Sequence, residues 1–124
     1  MRRCDYSGRD LSPLQLNLTG AIAVEATFDN ANLSQITLAK SYANGASFKG
    51  ANLDNAVLQG DDFTGADFTG ATMRGAVVSA DKFEKATLTD VDFEGVIIGV
   101  EDSRRICENP TLVGYARFDV GCRD

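Results

Sequence analysis

Residues 51–75 read Ala-Asn-Leu-Asp-Asn, Ala-Val-Leu-Gln-Gly, Asp-Asp-Phe-Thr-Gly, Ala-Asp-Phe-Thr-Gly and Ala-Thr-Met-Arg-Gly, five units of five residues. A small residue, or Asp at 61, opens each unit, and the third residue in each is large and apolar. Followed outward in both directions, that third position recurs every five residues from Leu18 to Ile98. Of its 17 occupants 15 are Leu, Ile, Val, Met or Phe, and two, Ala23 and Ala43, are Ala. None is polar, so each unit supplies one core residue. A period of five fits neither a helix, at about 3.6, nor a flat strand, at about 2. The chain must turn a corner once per unit to bring every large residue inward, which implies a coil.

Units such as Ala51-Asn52-Leu53-Asp54-Asn55 and Ala66-Asp67-Phe68-Thr69-Gly70 closely resemble the consensus of the pentapeptide-repeat family, over about 85 of the 124 residues. The resemblance implies an all-β solenoid, a right-handed quadrilateral β-helix of about four coils in which residues 20 apart stack. The columns support that period from within. They would be Leu18, Leu38, Leu58, Val78, Ile98; then Ala23, Ala43, Phe63, Phe83; then Phe28, Phe48, Phe68, Leu88; then Leu33, Leu53, Met73, Phe93. Each column sorts by residue type. Leu16 and Ile36 share coils with Ala23 and Ala43, whereas Ala56 and Ala76 share coils with Phe63 and Phe83. Close packing requires such trades of volume, since voids and overpacking both destabilise. At a strand spacing of about 4.8 Å the rod is about 20 Å long.

The pentad fails after Val100. It divides the chain into an irregular N-terminal segment (1–15), the repeat (16–100) and a C-terminal cap (101–124). A short solenoid exposes its last coil and needs a cover. The apolar residues available for one are Ile106, Leu112, Val113, Tyr115, Phe118 and Val120. Glu101-Asp102-Ser103 predicts the opening of a short helix. Asn109 as N-cap, with Pro110 at the first helical position, predicts a second, ended by Gly121. Before the repeat, Arg9-Asp10-Leu11 looks like one stray unit, but Pro13 and the seven-residue step from Leu11 to Leu18 break the register.

Cys107 and Cys122 flank the second predicted helix, 15 residues apart, and are expected to form a disulfide. Cys4 is left over and reads as a terminal thiol. With no His in the chain, neither a zinc cluster nor a Cys-His nucleophile has its parts, so no metal or cofactor is expected. The tail from Ile106-Cys107-Glu108-Asn109-Pro110 through Val120-Gly121-Cys122-Arg123, and the start Tyr6-Ser7-Gly8-Arg9-Asp10-Leu11, also resemble the thylakoid-lumen pentapeptide-repeat proteins of plants and algae. That resemblance implies the lumen of the chloroplast thylakoid, a compartment that tolerates disulfides.

Composition narrows the function. The net charge of −6 resides in the repeat, where 11 acids face 5 bases. A negative field argues against binding nucleic acid through its phosphates, which needs clustered Lys and Arg. A protein partner, and a basic one, fits better. There is no apolar run long enough to span a bilayer, and Met-Arg-Arg-Cys lacks the apolar core of a signal peptide.

Two features break the repeat. Asp61 and Asp81 occupy the small inward position of one column, on adjacent coils. Carboxylates so placed raise one another's pKa, as in a general acid, or else they accept backbone N–H bonds and hold a corner. The outward residues beside the first core column are Asn17, Thr37, Val57, Val77 and Ile97, with Tyr42 around the corner. Its apolar half is a candidate interaction stripe, to be covered by a flanking segment or by a partner. Three functions follow in order: a non-enzymatic interaction scaffold; a DNA-mimicking binder of gyrase, on the resemblance to family members with that role; and a hydrolase built on Asp61 and Asp81.

Overall fold

The computed structural model describes residues 3–11 and 17–123, and it is a right-handed four-sided β-helix. One side forms a continuous parallel sheet of β1 (Thr37–Ala39), β2 (Val57–Gln59), β3 (Val77–Ser79) and β4 (Ile97–Ile98), in that order. Leu38, Leu58, Val78 and Ile98 stand in register, 20 residues apart. The other sides are ladders of single bridges with the same spacing. They run Ile22, Tyr42, Asp62, Lys82; Thr27, Ser47, Asp67, Thr87; and Asn32, Asn52, Thr72, Asp92.

The corners explain the last position of the unit. Every fifth residue from Gly20 to Gly95 takes a φ between 52° and 73°. Glycine adopts this left-handed region without a side-chain clash, and Asn and Asp do so at modest cost. The residue that follows closes a four-residue turn, as Ala66 N does on Phe63 O at 2.9 Å. Asp and Asn before the large residue steady the same turn: Asp67 Oδ1 accepts from Thr69 N at 2.9 Å and from its hydroxyl at 2.6 Å.

Inside, the third residues form the core. Phe28, Phe48 and Phe68 stack face to face, with centroids 5.1 and 4.8 Å apart, and Phe63 meets Phe68 edge-on at 5.2 Å. The trade of volume is present: Ala56 and Ala76 are fully buried in the coils that hold Phe63 and Phe83, and Ile36 is buried in the coil that holds Ala43. Leu16 and Pro13 lie outside the described residues.

The N-terminal segment departs from the irregular course expected of it. Asp5 and Asp10 bridge to Thr27 and Asn32, 22 residues on, and Tyr6 stacks on Phe28 at 5.3 Å. Residues 5–11 thus take coil geometry above the first coil.

At the far end α1 (Val100–Ile106) and α2 (Tyr115–Asp119) cover the last coil. Ile106, Leu112, Ala116 and Val120 are buried against it. Asn109 opens no helix, contrary to its expected role as N-cap, and α2 starts after Gly114. Asn109 is buried instead: its Oδ1 accepts from Thr111 N at 2.9 Å, while its amide donates to Ala86 O at 2.8 Å. The open coil edge competes for that side chain, and it satisfies a buried carbonyl that a helix cap would leave unpaired.

Candidate functional site

Strand alternation sets the first candidate surface. Leu38, Leu58 and Val78 point into the core, so Thr37, Val57, Val77 and Ile97 must point out. Val57 and Ile97 are exposed, with Val77 half-buried between them, and exposed Val100 of α1 follows Ile97 in the chain. Apolar side chains therefore occupy three successive levels of one flat sheet. Tyr42 belongs to the adjacent side, where it is exposed next to Ile22 in the level above.

The acidic pair sits at the corners after β2 and β3. Elsewhere the amide at this point bonds within its own turn, as Ala46 N does to Ala43 O at 3.1 Å. Here Ser41 N and Asp61 N bond across the coils, to Asp61 Oδ1 at 2.9 Å and Asp81 Oδ1 at 2.8 Å. The Ser41 hydroxyl adds 2.6 Å to Asp61 Oδ1, and Ser79 N reaches Asp81 Oδ2 at 3.2 Å. Asp61 is 1% exposed, and its Oδ2 finds no donor among the described residues while both groups are carboxylates. A proton on Asp81 resolves this. Burial, reinforced by the hydrogen bond and charge of Asp61, pushes Asp81 from 3.8 up to about 8. Burial raises Asp61 too, although the bonds from Ser41 pull it down. Near neutrality the pair therefore holds one shared proton. Ser41, which sequence reasoning passed over, completes this ladder; its signal was a hydroxyl in the same column.

Cys107 and Cys122 are joined, with Cα atoms 5.7 Å apart, and clip the end of α1 to the residue after Gly121. Cys4 stays outside this bond, half-buried, and its carbonyl accepts from Thr27 N at 2.8 Å. Replacing both bonded cysteines by Ser should lower stability by about 3 kcal/mol in the loop-closure account. Denaturant unfolding of the double variant checks this, and an unchanged midpoint would contradict it.

The cap holds a further surface that the sequence reading missed. Ala116 and Val120 lie four apart and face the coil, so Tyr115 and Phe118, three apart, share the opposite face of α2. They are 89% and 80% exposed, although large aromatic side chains were expected among the cap's buried residues. Their spacing against Ala116 and Val120 carried the signal.

The match to known proteins agrees with this architecture. The family model described as Pentapeptide repeats (8 copies) matches residues 31–70, 44–79 and 62–98, more than half of the chain, and the protein belongs to the pentapeptide-repeat family. Among solved structures it is similar to the pentapeptide-repeat protein Rfr23 of the cyanobacterium Cyanothece, with 19% identity, TM-score 0.52, and 78% of this chain and 85% of that one covered. It is similar to QnrB1, a plasmid-mediated fluoroquinolone resistance protein, with 17% identity, TM-score 0.50, and coverage of 82% and 80%. A pentapeptide-repeat protein of the Arabidopsis thaliana thylakoid lumen shares 26% identity over 96% of this chain and 88% of that one, with TM-score 0.49. No match was found among the curated proteins.

Proposed function

We propose that this protein is a non-enzymatic interaction module that binds another protein through the outer face of β1–β4. The observation that carries the reading is the outward row Val57, Val77, Ile97, three apolar side chains on consecutive levels of one sheet, the first and last exposed and Val77 half-buried. Such a row costs solvation free energy in isolation and suits a flat apolar counterpart. The buried position of Asp61 also favours binding over hydrolysis: a substrate cannot reach its oxygens, and the amides of Ser41 and Asp61 already bond to one oxygen of each acid. The disulfide and the resemblance of the cap and the N-terminal start support a place in the thylakoid lumen.

The test is Val57→Lys with Val77→Lys. Both side chains are at the surface, so the variant should keep its circular dichroism spectrum. A partner cross-linked to the wild-type protein should be lost by the variant, and a partner retained in full would refute the sheet face as its docking surface.

A further inference from the structure

The way α2 is laid down leaves a recess at the cap end of the molecule. Gly114 takes φ 68° and ψ −143°, a conformation that a side chain opposes, and turns the chain into α2. Ala116 and Val120 bury against the last coil, which keeps Tyr115 and Phe118 in solvent. With Gly114 and Asp119 these rings face Asp92 and Glu94 across an open groove of about 880 Å³. None of its residues belongs to β1–β4.

Charge sets this groove apart. Its charged residues are all acids, Asp92, Glu94 and Asp119. Two other recesses beside the cap carry both signs, one with Lys82, Lys85 and Glu84, the other with Arg104, Arg123 and Glu108, so charge selects no occupant for either. Arg74, on the level before Glu94, is committed elsewhere: its Nη2 and Nε bond to Asp54 Oδ2 at 2.9 and 3.2 Å, and its Nε is 3.9 Å from Asp92 Oδ2. The Asp54 bond and charge, then Asp92 and Glu94, raise its pKa, so one cation serves three carboxylates. Among the described residues Glu94 and Asp119 have no ion pair.

We infer that this groove is a docking surface for another protein, which enters it with an arginine side chain and the apolar residues beside that arginine. The two walls select this group together. A guanidinium lies flat on an aromatic face and forks onto carboxylates, whereas an ammonium is a point charge without the planar fork and an uncharged apolar group leaves the acids unmatched. The fold already contains the ionic half of the pattern, in Arg74 between Asp54 and Asp92. Apolar neighbours of the arginine cover the rest of Tyr115 and Phe118, burial that neither ring obtains within this chain. A second copy of this chain, at −6, is repelled by the field of the groove, as is any acidic partner.

A displayed library of random peptides tests this, depleted first on the Tyr115→Ala, Phe118→Ala protein and then selected on the full chain. Both rings are at the surface, so that variant should keep its circular dichroism spectrum. The enriched peptides should carry Arg next to an apolar residue. Replacing that Arg by citrulline, which keeps the shape and removes the charge, should weaken binding at least about tenfold, and Glu94→Gln with Asp119→Asn in the protein should do the same. The Val57→Lys, Val77→Lys protein should bind the peptide normally, which separates failure here from failure of the sheet face. No enrichment, a consensus without a cation, undiminished binding of the citrulline peptide, or a dimer in sedimentation that Phe118→Ala disrupts would each overturn the proposal.

Discussion

Phe68→Ala is expected to lower the unfolding free energy by about 4 kcal/mol, as read from the midpoint of denaturant unfolding at unchanged slope. Phe68 is fully buried at the centre of the solenoid. It stacks on Phe48 at 4.8 Å and 4°, takes the edge of Phe63 at 5.2 Å, and lies 5.9 Å from tilted Phe83. Removing the ring loses its transfer free energy and leaves a cavity. The surrounding coils cannot collapse into that space, because each is pinned to its neighbours by backbone bonds on four sides. Phe68→Leu should cost less, about 1.5 kcal/mol, since Leu88 already occupies the next level of that column. A loss below about 1 kcal/mol for the alanine variant would mean the stack is not the structural centre it resembles.

The second large effect is one of pH. Asp81 titrates at about 8 in the folded protein against 3.8 when unfolded. A folded-state pKa raised in this way contributes stability that is fully present below pH 3.8 and is lost progressively as pH rises to about 8, because the unfolded chain releases its proton first. The loss is on the order of several kcal/mol. Asp54 works in the opposite sense: burial alone would raise it, but the Arg74 hydrogen bonds outweigh burial and hold it low, so its contribution is lost toward acid. Stability should therefore peak on the acidic side of neutrality.

Asp61→Asn tests the cause. Its carbonyl can still accept from Ser41, and its amide can donate to Asp81 Oδ2, which removes both the like charge and the oxygen without a donor. The variant should be more stable than the wild type at pH 8, by on the order of 2 kcal/mol, with a flatter profile. A profile parallel to the wild type would exclude the shared proton.

The body of the fold was legible because its information is local and repeated. One inward residue per five, small neighbours beside it and Gly or a polar residue at the turn leave the chain a single way to bury its apolar side chains. The period of 20 was legible too, since Phe63 and Phe83 share coils with Ala56 and Ala76, and volumes must match across a coil. The acidic pair was visible as an exception at two small positions in one column. Its role was not, because that depends on where Ser41 N, Asp61 N and Ser79 N point, and a corner's amide direction is a three-dimensional property.

The ends resisted reading for the same reason. A stacked ring and two bridges place residues 5–11 in the helix despite their broken register, because pairing to the open edge of the first coil, 22 residues on, is a tertiary contact that a five-residue period does not encode. Asn109 carried every mark of a helix cap, yet two interactions won, a buried carbonyl on Ala86 and a turn on Thr111. In the cap, composition named six apolar residues, but only packing could decide which three are buried. Ile106, Leu112 and Val120 meet the last coil, whereas Val113, Tyr115 and Phe118 remain in solvent. The sequence by itself determined the coil, its period and its corner chemistry, since these follow from side-chain volume and backbone freedom repeated at each unit. Tertiary structure alone decided which edges stay open and which aromatics stay exposed, because both depend on how one non-repeating segment lies across the final coil.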